Sequence, residues 1–243
     1  MSDLLHSTFP TQPEDFVNGA LLLIDKPLNW TSFDVVNKIR GTLKAKLKLK
    51  KFKVGHAGTL DPLASGLLLI CTGKWTKKID ALQGMPKQYT GSLKLGATTP
   101  SYDSETEEDN QFSIEGITND MLHSATHAFI GQIEQVPPMY SALKKDGIAL
   151  YKMAREGKTI ERKARTVTID TFNLTSIDLP QVHFLVDCTK GTYIRSLAHD
   201  FGQSLSNGAY LSSLIRTKIG EFSLEDANTM DTALKKISDV FDS

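Results

Sequence analysis

Cysteine is scarce in this 243-residue chain. The two that occur, Cys71 and Cys188, lie inside the apolar runs 67–71 and 182–188, the setting of buried free thiols in strands rather than of a disulfide. No Cys/His cluster has the spacing of zinc ligands. Neither a P-loop nor a dinucleotide fingerprint occurs, so nucleotide-driven and hydride-transfer chemistry are not indicated, and neither cofactor nor metal is expected. No apolar run approaches the roughly 18 residues of a membrane span. The N-terminal MSDLLHSTFPTQPED has neither the basic start nor the apolar stretch of a signal peptide. The expected setting is the reducing cytoplasm, away from membranes. An excess of one charge is missing too: 28 basic residues face 28 acidic ones. Global charge therefore does not announce a nucleic-acid binder, and local clusters must be read instead.

Those clusters exist. The segment 43–53, LKAKLKLKKFK, alternates lysine and leucine through its middle. Two readings fit: a sheet edge protected by lysines, or a strip that contacts phosphates. Residues 137–165 are strongly basic, pattern poorly as core, and form an insertion longer than compact domains usually tolerate without a functional reason. Acids gather instead at 103–109 and 225–242.

Around these stretches the pattern is that of an ordinary core, with 40% hydrophobic residues. Residues 1–16 read as a loose N-terminal segment. A short buried strand is expected over 19–25, broken at Lys26-Pro27. A helix follows, with Val35, Val36, Ile39 and Leu43 at helical spacing and Thr31 or Ser32 as its cap. Residues 67–71 suit a central strand buried on both faces, and 89–95 and 182–188 are further strands. Ile194, Leu197, Ala198, Phe201 and Leu205 keep helical period, with Thr192 positioned to cap. Strands and helices mix without βαβ alternation, which predicts an α+β fold with a mixed, mainly antiparallel central sheet flanked by helices.

Three segments carry candidate chemistry. Residues 55–66 read GHAGTLDPLASG, with Asp61 between Leu60 and Pro62 on a turn rich in glycine. An aspartate there caps a turn in most proteins; it is equally a carboxylate held among apolar neighbours. KGTYIR, residues 190–195, puts Tyr193 and Arg195 in the first turn of a helix. That is a site for a carboxylate, or else an arginine paired with a surface acid. KQYTG, residues 87–91, starts a strand with Tyr89, a core aromatic or a surface on which a flipped base stacks.

Six blocks in order, DKPLNWTS (25–32), VGHAGTLDPLASGLL (54–68), KQYTGSLKLGATT (87–99), QVPPMYSALKKDGIALYKMAREG (135–157), KGTYIRSLAHDFG (190–202) and GAYLSSLIRTKIGEF (208–222), resemble the bacterial TruB family of tRNA pseudouridine synthases. The resemblance covers most of the chain. It implies a catalytic domain over 17–222 with residues 137–165 as an RNA-closing thumb, and a short tail 223–243 where many relatives carry a PUA domain. It implies isomerisation of a flipped-out uridine at position 55, in the T-loop of tRNA, with Asp61 as nucleophile and no cofactor. Arg195 would pair with Asp61 and lower its pKa. Tyr89 would stack on the target base, and Tyr193 and Leu214 would line the nucleotide pocket. His56 would hold the T-loop, and Lys26 would support the wall of the site. Attack at C1′ of the ribose or at C6 of the base stays open, as does the group that takes the C5 proton. The family's Leu-Arg-Arg is here Leu214-Ile215-Arg216, so one phosphate contact is expected to be missing. The tRNA T arm is the expected partner, with the chain a monomer needing no obligate protein partner. The alternatives are an RNA-binding or RNA-folding module without catalysis, and a guide-dependent synthase that shares the core.

Overall fold

The computed structural model describes residues 9–242. They form two compact units, one of 9–89 with 215–242 and the other of 90–214, where a single catalytic domain 17–222 is expected. The strands Lys87–Leu95 and Ala209–Ile219 each pass from one unit into the other.

The first unit is built on the strand Ala64–Thr72. Leu21–Lys26 lies antiparallel to it, Leu21 opposite Cys71 and Lys26 opposite Gly66, and Val54–His56 pairs with its far end. The short strand Asn228–Thr229 runs parallel to Leu21–Lys26. Side chains alternate across this sheet, as the pleat requires. Leu22, Ile24, Leu68 and Ile70 meet one set of helices through Val35, Val36, Ile39, Leu43, Ala233 and Ile237. Leu21, Leu23, Leu67, Leu69 and Cys71 fill the opposite face with Leu82, Ile219 and Phe222. Residues 67–71 are each fully buried, as two apolar faces demand. The helix Ser32–Lys46 is capped by Thr31, whose hydroxyl accepts from the Asp34 N–H while Asp34 accepts from the Thr31 N–H.

Two expectations need correction in this unit, the loose lead-in and the edge-strand reading of the lysine strip. Residues 1–8 lie outside the described part, but the remainder of the supposedly loose lead-in enters the helix Pro13–Asn18, and Phe16 is fully buried against Phe9 and Phe241. Within the short tail expected from 223 on, Met230–Asp242 is a helix that buries Met230, Ala233 and Ile237. The lysine strip is no edge strand. Its first part ends the helix Ser32–Lys46, where Lys44 and Lys46 suit the C-terminal dipole, and Lys48, Lys50, Lys51 and Lys53 follow on exposed, irregular chain.

The second unit orders its strands 209–214, 90–95, Gln181–Cys188, Arg165–Asp178 and Gly131–Gln135. The last three are antiparallel neighbours. The helices Asn119–Thr126 and Ile194–Ser204 accompany the sheet, and Phe129, Phe172, Phe184 and Phe201 meet edge to face or tilted in its core. Both cysteines are buried free thiols, and burial pushes Cys71 up to about 12. The fold is α+β with mainly antiparallel pairing. Among the described residues no helix is long and apolar enough to cross a membrane.

Candidate active site

The first unit carries Lys26, His56, Asp61 and Tyr89; the second carries Tyr193, Arg195 and Leu214.

In the first unit the loop between Val54–His56 and Ala64–Thr72 bears Asp61, half-buried. Its backbone is held almost residue by residue. The Arg216 guanidinium, 1% exposed, donates to Gly58 O at 3.1 Å and Thr59 O at 3.4 Å, while its Nε donates to Leu67 O at 2.8 Å. The Ser32 hydroxyl accepts from the Leu60 N–H at 2.8 Å and lies 3.1 Å from Leu60 O, to which it donates. Pro62 O accepts from the Asn29 N–H at 2.8 Å, and Asp61 O from the Ala64 N–H at 3.1 Å. Glycine is required at both ends. Gly58 has φ +99°, and a Cβ on Gly66 would stand 2.4 Å from the Arg216 carbonyl oxygen.

Beside this loop Lys26 is fully buried, its ammonium donating to Pro27 O at 2.9 Å and Trp30 O at 2.6 Å. Burial pushes it down to about 8 against the attraction of Asp61, and the charge of Arg216 adds to the depression. His56 is also lowered, first by burial and then by Arg216, so it stands neutral at pH 7, with Nδ1 buried and lacking a hydrogen-bond partner among the described residues. Tyr89 is 8% exposed in the strand Lys87–Leu95.

In the second unit Tyr193 occupies the cap position of the helix Ile194–Ser204 with extended backbone, one residue short of the first turn expected for it. Thr192 does not cap; its hydroxyl donates to Thr189 O. A buried glutamine performs the anchoring, since Gln135 accepts from the Tyr193 N–H at 2.7 Å and donates to Tyr193 O at 3.1 Å. Arg195 is 5% exposed. It donates to Tyr140 O at 2.8 Å and Ser101 O at 3.4 Å, with Asp103 Oδ2 at 3.5 Å from its Nε. Leu214 is half-buried on the strand Ala209–Ile219.

Sequence reasoning missed Ser32, Arg216, Gln135 and Asp103. Asp103 sits in an acidic run that reads as solvated loop, and Arg216 follows Ile215 in a stretch that reads as phosphate-binding. The one available signal was Thr31-Ser32: a helix start needs one capping hydroxyl, and two are present.

The sequence matches the model for the TruB family pseudouridylate synthase, N-terminal domain, over residues 44–194. The chain belongs to the TruB family. Relatives named tRNA pseudouridine synthase B include that of Flavobacterium johnsoniae, 56% identical over 88% of this chain and 94% of the relative, and that of Phocaeicola vulgatus, 51% identical over 90% and 93%. Similar solved structures include an archaeal box H/ACA ribonucleoprotein complex, with 27% identity, TM-score 0.65 and 91% of this chain covered. Another is an H/ACA ribonucleoprotein bound to a substrate RNA containing 2′-deoxyuridine, with 27% identity and TM-score 0.65 over 94% of this chain. The chain spans 54% and 59% of the length of those two chains. The clamped loop 58–62, which bears Asp61, lies within the matched residues.

Proposed function

We propose that this TruB-family chain isomerises uridine to pseudouridine at position 55 of tRNA, in the T-loop, with Asp61 as nucleophile. The observation that carries the reading is the loop of Asp61, whose neighbouring peptide groups are tied down by buried Arg216 and Ser32. A carboxylate that attacks one carbon of a flipped nucleotide gains most from a fixed starting position. Asp61 bonds to C1′ or C6 and is released again, the N1–C1′ bond breaks, the C5–C1′ bond forms, the C5 proton leaves and N1 takes a proton, so the reaction balances without a redox partner. Tyr89 stacks on the target base, Tyr193 and Leu214 line the nucleotide pocket, and Lys26 backs the wall of the site. His56 stays neutral and holds the loop of the RNA. For Arg195 the family resemblance implies the role of pairing with Asp61. The basic segment 137–165 and the lysines of 44–53 grip phosphates, and recognition rests on the shape of a splayed loop. The chain acts as a monomer in the cytoplasm.

The test is to incubate purified protein with an unmodified tRNA transcript and map pseudouridine by position. Conversion at position 55 alone is expected, and a short T-stem-loop hairpin should react nearly as fast as whole tRNA at matched salt. Tight RNA binding with no pseudouridine would mean an RNA-folding module instead. Modification at another position would overturn the T-arm assignment, and a hairpin hundreds of times slower would show that the rest of the tRNA is read.

A further inference from the structure

We propose that Ser32 is a positioning residue for the nucleophile, acting through the Leu60 peptide next to Asp61. The inference rests on the reading of Asp61 given above. Thr31 and Ser32 bring two hydroxyls to the start of one helix. Thr31 caps it, closing a reciprocal pair with Asp34, so the helix does not need the second hydroxyl. Ser32, 2% exposed, spends both its donor and its acceptor on Leu60, which is 28 residues distant in sequence. Leu60 is itself 4% exposed, so water cannot replace this partner.

The geometry fixes a plane rather than a point. A hydroxyl bound to both the N–H and the C=O of one residue restrains rotation on either side of it, and the C=O of Leu60 belongs to the peptide that leads into Asp61. Arg216 holds the two preceding carbonyls and Asn29 the Pro62 carbonyl. Ser32 is the member of this set that adjoins Asp61 on its N-terminal side. Alanine would leave a buried N–H and C=O without their partner, and the loop would then relax by fractions of an ångström toward other bonds. Attack on a single carbon is sensitive to displacement on that scale.

The test compares Ser32→Ala and Ser32→Cys with wild type and Asp61→Asn. Single-turnover rate at saturating T-arm hairpin, hairpin Kd and thermal melting are measured for each. Ser32→Ala should lose between about tenfold and a hundredfold in rate, with Kd within twofold. Ser32→Cys, which preserves shape with a weakly bonding thiol, should fall in between, and it carries the test if the alanine variant does not fold. A wild-type rate in the folded variants would overturn the proposal, and so would a rate loss matched by an equal loss of hairpin affinity. The underlying reading fails separately: if Asp61→Asn turns over like wild type, Asp61 is not the nucleophile whatever Ser32 does. If Asp61→Asn is dead and the Ser32 variants are unimpaired, only the positioning role is wrong.

Discussion

The loop 57–64 and the segment 137–165 are both largely irregular chain, and they are held in opposite ways. The loop is pinned from outside itself, by Arg216, Ser32 and Asn29, none within 25 positions of the residue it binds. Apart from Tyr140 O, which accepts from Arg195, the segment is held mainly by its own neighbours. It has a two-residue hairpin, Lys144–Lys145 with Ile148–Ala149, the short helix Leu150–Arg155, and local bonds such as Leu150 N–H to Leu143 O and Tyr151 N–H to Ser141 O. Lys144, Lys145, Lys152, Arg155, Lys158, Lys163 and Arg165 are exposed. Its ion pairs, Arg155 with Glu105 and Lys158 with Glu156, are largely solvated and contribute little. Chemistry at one carbon needs a carboxylate held from several sides. Grip on a phosphate backbone needs charge on a surface that can adapt, since each contact is only a small part of the affinity.

The sharpest way to break this comparison is Asp61→Asn, which keeps size and removes the nucleophile. Turnover should fall by at least about four orders of magnitude, or roughly 5 kcal/mol of barrier, while tRNA affinity changes less than twofold. Equal losses in both would mean that the pinned loop binds rather than reacts. Next in size is Arg195→Lys, which keeps charge but loses the planar fork aimed at Tyr140 O, Ser101 O and Asp103. A loss of about a hundredfold in single-turnover rate, with affinity retained, is expected. A loss confined to Kd would place this arginine on phosphate.

Two ionisable groups, Lys26 buried and Asp200 half-buried, make opposite pH predictions for the two units. Lys26 titrates near 10.5 in unfolded chain and at about 8 when folded. Between those values the unfolded state holds the extra proton, so stability rises with pH, and Lys26→Met should abolish that rise in urea melts. Asp200, pushed up from 3.8 to about 6 by burial, behaves inversely. The folded state keeps the proton there, stability falls as pH climbs through that window, and Asp200→Asn should flatten the fall. Wild-type slopes surviving in either variant would show that another group titrates.

The smallest effects belong to the basic surfaces. Single lysine-to-alanine changes at Lys48, Lys50, Lys51 or Lys53 should each weaken tRNA binding modestly and reduce the salt slope by about one. An unchanged slope would remove that lysine from the phosphate interface. Hydrogen exchange over 137–165 should slow on adding tRNA, whereas 57–64 should be protected with or without it. Equal protection of 137–165 in both states would remove the contrast between the regions.

Much of this was legible beforehand because it is local. The helix carrying Val35, Val36, Ile39 and Leu43 and the doubly buried strand 67–71 follow from periodicity. The loop GHAGTLDPLASG follows from glycines that its turns require, and the six ordered blocks carried the family and Asp61. The lysine strip was misread as a possible strand because alternation is also what a helix end followed by exposed chain can show. The lead-in was undervalued because short amphipathic segments look the same whether or not a core waits for them.

The sequence by itself determined the family and the main periodic helices and strands, since each is written in consecutive residues. Only the tertiary structure decided what each polar group does. Thr31 caps and Ser32 clamps, although both are hydroxyls at one helix start. Arg216 supports the loop from within, although its stretch reads as phosphate-binding. Arg195 meets Asp103 across 92 positions of sequence. A hydrogen bond between distant segments leaves no pattern in either of them, and whether a charge is buried depends on what the rest of the chain folds over it.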